Sequence, residues 1–477
     1  MWTRSLVVFL SCLLTISCAD GASSKAVPES RRAPGAEGEA GIGDQYFPKS
    51  GNGAYDITHY DLRIRYTPSG RAIRAVATLD LQPGKRLASF NLDLVGLTVD
   101  RITIDGARAR FERTGSELTI LPRQPLRRDQ AVRTTIRYHG VPQPVIDPAE
   151  ENPDDAVALG WIRSRGGDVY VVSEPTGAST WFPSNDHPAD KATFTMAFDV
   201  PDNVSVASNG TLEAGPVRQG RRVWNWEMAQ PMATYLATVV IAPMREQRTQ
   251  SGAGIPIRNF FPPGSYDDAV RNFAPTGAMI DYFSGQFGPY PFDVYGAVTV
   301  NHELGYALET QTLSLFGSDM VGTDLDAELT VAHELAHQWF GNSVGIAHWS
   351  DIWLNEGFAT YAQMLWQAHR DPEFDLDEDL AELRAGAEKV LTRPRDPGRD
   401  QLFSTAVYAR GALTLHALRT TVGDDTFFAI LREWTKKYRY GTATTEDFIA
   451  VAESVSGRPL GDFFAAWLDG DAVPPLP

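Results

Sequence analysis

The sequence predicts an α+β chain of two folded domains, a β-rich antiparallel amino-terminal domain followed by a mainly α domain. Length and composition point there first: 477 residues with 43% apolar content suffice for two sizeable cores, because single domains commonly run to about one or two hundred residues. Patterning is the second observation. Apolar and polar residues alternate through the first half, and after the turn "FPPGS" at 261–265 the apolar recurrence lengthens to that of helices.

Taken in order, residues 1–18 read as a signal peptide, since Arg4 precedes an uncharged apolar run from Ser5 to Ser17 that is too short for a comfortable membrane span. The run ends in Thr15-Ile16-Ser17-Cys18, which resembles the lipobox of bacterial lipoproteins. Two outcomes stay open, a lipid anchor on Cys18 or cleavage nearby and release. Either makes the chain exported, as a cell-surface lipoprotein or a secreted protein. Cys12 and Cys18 are the only cysteines, so the mature domains hold no disulfide and depend on packing.

Residues 19–45 are rich in Gly, Ala, Ser, Pro and charge and read as a flexible linker. Residues 46–245 form the expected β-rich domain. "YDLRIRY", "RAVATLDLQ", "DRITIDG", "SELTILP" and "AVRTTIRYHG" alternate between turn residues, the signature of antiparallel strands with one buried face. Residues 246–477 form the expected helical domain, with periodic stretches at 267–287, 324–340, 351–369, 405–422 and 425–438.

The formal charge of −17 replaces attraction to phosphate with repulsion, which argues against a nucleic-acid partner.

The segment "TVAHELAHQWFGN" at 330–342 carries the chemistry. One helix is expected between Thr323 and Gly341, capped by Asp324, favoured by Asp326 and Glu328 at its positive end, and stopped by Gly341. On it His333 and His337 lie one turn apart, so both imidazoles leave one face with the spacing of two zinc ligands. Glu334 is turned about 100° from His333, off the metal but near enough to take a proton from water beside it. By chance this pattern arises about 0.01 times in such a chain. A third ligand is needed, and Glu356, in "WLNEGFATY" 19 positions beyond His337, supplies it. Two neutral imidazoles and one carboxylate leave a single Zn2+ with net positive charge and one open position, where water acidifies toward a pKa of about 7. That chemistry is hydrolysis of an amide or related bond.

HELAH, a spacer and NEGFA together resemble the gluzincin aminopeptidases, the family of aminopeptidase N and leukotriene hydrolase. The resemblance extends to "YDITHYDLRI", "EPTGASTWFPSNDHP", "ATYLATVV", "YFSGQFGPYPF", "ALETQT" and "VYARGAL". It implies a saddle-like β-domain followed by a thermolysin-like zinc metallopeptidase domain, in a short form without the C-terminal helical domain. It also implies three further residues. Tyr408 matches the tyrosine that donates to the oxyanion of the tetrahedral intermediate. Glu309 matches the glutamate of G-x-M-E-N, which binds the substrate's free α-ammonium, and Glu174 a second glutamate that assists it. The expected activity is removal of N-terminal residues from extracellular peptides, with free-amine peptides as partners and membrane contact only through Cys18. Two other activities use the same scaffold, epoxide hydrolysis and peptide binding without catalysis.

The pattern departs from the family at Tyr306 for glycine, Leu308 for methionine, Thr310 for asparagine, Val172 for glutamine and Ser179 for arginine. These positions bear on amine recognition and the first pocket, and leave the zinc set whole. His348, His369, His416 and Asn342 read as structural.

Overall fold

The computed structural model describes residues 36–147, 157–322, 324–390 and 392–477. The expected signal peptide, both cysteines and most of the expected linker lie outside the described residues. Between Ala36 and Asp44 the chain is tied down. Ala36 bridges Leu87, and Asp44, only 2% exposed, accepts hydrogen bonds from the Trp349 N–H at 3.0 Å and from His187 Nε2 at 3.2 Å. This strap therefore touches both halves of the molecule.

The first half is built on a ten-stranded sheet in which 55–67, 72–83 and 132–140 lie side by side. In the strand Tyr55–Thr67 the buried residues Tyr60, Leu62, Ile64 and Tyr66 alternate with outward ones. Ile57 is also buried, three positions before Tyr60, and the register shifts between Ile57 and His59; a bulge there keeps both on the core face. One pair departs from the antiparallel expectation. Tyr55–Thr67 runs parallel to Lys191–Pro201, because the long intervening chain forms other strands and re-enters from the same end. A second, five-stranded sheet contains Val169–Val172, Ala158–Arg163 and Val145–Ile146 as successive neighbours.

A third sheet starts at Arg245, next to the expected boundary at 246, and ends in the short edge strand Ala307–Leu308. Helices follow. Leu325–Ala336 packs on Trp353–Arg370, which in turn packs on Gly411–Val422. A single apolar core runs through both halves, and Trp339 sits among Phe283, Phe287 and Tyr290 behind the first of these helices. Among the described residues no helix is long and apolar enough to cross a membrane.

Candidate active site

Asp324 caps the helix Leu325–Ala336, its Oδ1 accepting from the Ala327 N–H at 2.9 Å. The helix ends earlier than the sequence suggests. Beyond Ala336 the N–H groups of Asn342, Ser343 and Val344 bond the carbonyls of His337, Gln338 and Trp339, each five residues back. This wider turn requires the φ of +113° at Gly341, a value that disfavours any side chain. His333 and His337 still share one face, with ring centroids 4.8 Å apart.

A close helix crossing brings in the other groups. A Cβ on Gly357 would meet the Gly411 Cα at 2.7 Å, so these two glycines let their helices touch. Glu356 and Tyr408 precede them and face the same cavity. Tyr408 stands in a wide turn, Ala406–Arg410, a form frequent at functional sites. Arg410 anchors that turn, donating to the carbonyls of Trp467 at 2.6 Å and Gly470 at 2.7 Å.

The three expected ligands converge. Nε2 of His333 and Nε2 of His337 are 3.1 Å apart, and each lies 3.4 Å from Glu356 Oε2. His337 Nδ1 is 3.1 Å from the Phe340 carbonyl, which accepts only if Nδ1 carries the hydrogen; the Nε2 lone pair then points inward, as a metal ligand requires. Gln363 hydrogen-bonds the His333 ring. Two imidazole lone pairs facing one another beside a carboxylate repel unless a cation lies between them, and this N,N,O donor set suits zinc.

All seven residues singled out by sequence, Glu174, Glu309, His333, Glu334, His337, Glu356 and Tyr408, line one cavity of about 380 Å³. Carboxylate oxygens of Glu174, Glu309 and Glu356 lie within 4.8 Å of one another. One oxygen each of Glu174, Glu309 and Glu334 is buried without a hydrogen-bond partner among the described residues. Burial and the charges of Glu309, Glu356 and Glu334 push Glu174 well above the usual carboxylate range. Burial likewise raises Glu334 and takes Glu309 to about 7. Burial alone would lower His337, yet the surrounding Glu356, Glu309 and Glu334 carry it up to about 10. Burial comes first for the three raised carboxyls, and the mutual repulsion of carboxylates adds to it; a divalent cation and a cationic amine would relieve both.

Sequence reasoning did not single out Asp147, Leu159 or Phe403, which also line the cavity; no local motif marks them. Val172 and Tyr306 line it too, so a methyl-bearing wall stands where the family resemblance expects an amide. Thr310 is turned away, its hydroxyl donating to the Leu313 carbonyl. Asn342 has a specific contact: its Nδ2 donates to the Glu309 carbonyl at 2.6 Å. His348, His369 and His416 lie outside the cavity.

Comparison with known proteins gives the same architecture. Residues 57–236 match the peptidase M1 N-terminal domain and residues 272–467 the peptidase family M1 domain. Aminopeptidase M1 of Arabidopsis thaliana is 28% identical over 321 residues, covering 63% of this chain and 36% of the relative. Aminopeptidase 2 of Candida albicans is 24% identical over 448 residues, 87% of this chain and 47% of the relative. The chain thus spans less than half the length of these relatives. An M1 zinc metallopeptidase from Deinococcus radiodurans, solved with a Tyr-Ser-Ala substrate, superimposes with a TM-score of 0.83 at 31% identity, covering 92% of this chain and 99% of that one. A two-domain M1 zinc metallopeptidase bound to L-tryptophan superimposes with a TM-score of 0.84, also at 31% identity. The chain belongs to peptidase family M1.

Proposed function

We propose that this M1-family chain is a zinc aminopeptidase that removes N-terminal residues from peptides outside the cell. The observation that supports this reading most directly is the pair of buried carboxylate oxygens on Glu174 and Glu309, unpartnered among the described residues, beside the His333, His337 and Glu356 donor set. A fixed cationic amine is the group such oxygens bind best. Anchoring it next to the reacting centre limits cleavage to the first peptide bond.

His333, His337 and Glu356 would hold the zinc, which when bound supplies Lewis-acid polarisation of a carbonyl and acidification of water. Glu334 takes the proton of the attacking water and returns it to the departing amine; its burial, which favours the protonated form, suits the second half of that task. Tyr408 donates its hydroxyl hydrogen to the oxyanion developing on the substrate carbonyl. Burial, then the charge of Glu356, keeps the phenol far above its ordinary pKa, so it remains a donor. Glu309 and Glu174 bind the α-ammonium.

A panel of fluorogenic amino-acid amides, with and without chelator, tests the reading. Turnover that chelator abolishes and Glu334→Gln lacks is expected. Chelator-resistant turnover, or full activity in Glu334→Gln, contradicts it. Export rests on residues 1–18 alone: Cys18→Ser should release the protein from membranes if the cysteine is lipidated, and an unchanged distribution would argue for simple secretion.

A further inference from the structure

Lys191 opens the strand Lys191–Pro201 of the first half, and its side chain reaches into the second. Nζ donates to three backbone carbonyls, Asn342 at 2.8 Å, Ser343 at 2.9 Å and Gly441 at 3.2 Å. None of these acceptors is a carboxylate. An ammonium has three hydrogens, and here each has one acceptor. Burial pulls Lys191 down to about 7, while its hydrogen bonds to three carbonyls favour the protonated form; the Gly441 carbonyl also accepts from the Gly345 N–H at 3.0 Å.

The carbonyls it holds are not arbitrary. Asn342 and Ser343 form the wide turn that closes the HELAH helix, and Gly441 precedes the strand Thr442–Ala443, which pairs with Gly345–Ile346. Asn342 itself contacts two residues of the site. Its backbone N–H bonds the His337 carbonyl at 3.0 Å, and its Nδ2 bonds the Glu309 carbonyl at 2.6 Å. A second side-chain donor to that carbonyl is Gln338 Nε2, at 3.2 Å, from the same turn. Glu309 leaves a very short edge strand, Ala307–Leu308, so these two bonds set where its carboxylate points.

We infer that Lys191 is a positioning residue for recognition of the substrate's amine: from the β-rich half it fixes the Asn342–Ser343 turn, and the Asn342 amide fixes Glu309. The inference rests on the reading of Glu309 as the amine anchor. It gives the β-rich half, beside Glu174, a second contribution to affinity for the amine through a residue that never touches it.

Paired hydroxamates test this. Leucine hydroxamate carries an α-amine and acetohydroxamate does not, yet both chelate zinc. In Lys191→Met, inhibition by leucine hydroxamate should weaken about tenfold while acetohydroxamate is unchanged. KM for leucine amide should rise by a similar factor, with kcat and zinc content held. Asn342→Ala should give the same split, and Lys191→Met combined with Asn342→Ala no more than the larger single effect, since both interrupt one chain of contacts. If Lys191→Met does not fold, Asn342→Ala and Lys191→Arg decide, with Arg expected to recover amine selectivity only in part. Equal weakening of both hydroxamates, or weakening of neither, overturns the inference. Glu309→Ala distinguishes the two levels. If it leaves the hydroxamate ratio unchanged, the anchor reading itself fails; if it abolishes the ratio while Lys191→Met and Asn342→Ala do not, only the role of Lys191 fails.

Discussion

Glu334 has one buried oxygen without a partner among the described residues and follows His333 in sequence, so under the proposed mechanism its removal should strike the chemical step and spare the metal. Glu334→Gln is expected to lower kcat by about 10²–10⁴-fold with full zinc content, measured by steady-state kinetics and elemental analysis on one sample. Tyr408→Phe should lower kcat by about 10²–10³-fold and leave KM within a factor of about three, because its hydrogen bond forms to charge that exists only in the transition state. At this scale the sequence was most legible. A metal helix confines its ligands to one turn, and such spacing is visible in "HELAH". Asp147 was not legible, since it comes from a stretch with no pattern of its own, and Gln363, on the same helix as Glu356, carries no motif that marks it among the other polar residues there. Glu174 and Glu309 were legible only through family resemblance, as isolated carboxylates separated by more than a hundred residues.

At the scale of elements, periodicity predicted strands and helices but missed the irregular pieces that aim the side chains. The turn at 337–344 and the wide turn at Ala406–Arg410 continue a helical pattern in sequence, and only their five-residue hydrogen bonds distinguish them. The strap was missed for another reason. Residues 36–45 have the composition of a linker, yet bridges at Ala36 and Gly41 and the buried carboxylate of Asp44 fasten them. Burial opposes its charge, but hydrogen bonds from His187 and from the Trp349 and Phe47 N–H groups hold Asp44 down at about 2, against an ordinary 3.8. A carboxyl lowered on folding contributes stability that is present above about pH 4 and is lost as the pH falls through 2. Wild type should therefore lose about 2 kcal/mol more than Asp44→Asn between pH 5 and 2, read from thermal unfolding across that range. Asp44→Ala at neutral pH should cost about 3 kcal/mol, because it orphans buried donors.

At the scale of the whole molecule, the β-rich half supplies Glu174 and Lys191, and the helical half supplies His333, Glu334, His337, Glu356 and Tyr408. The cavity exists only where the two meet. Its crowded, buried carboxylates are groups that a bound cation would stabilise. Removing zinc should lower the thermal midpoint, and adding back one equivalent per chain should restore midpoint and activity together. The most direct measurement is product analysis for a pentapeptide beginning with leucine and for its N-acetylated twin. Stepwise release of the first residue from the free peptide, with the acetylated one left intact, is the predicted result. Cleavage of internal bonds in both at similar rates would contradict the account.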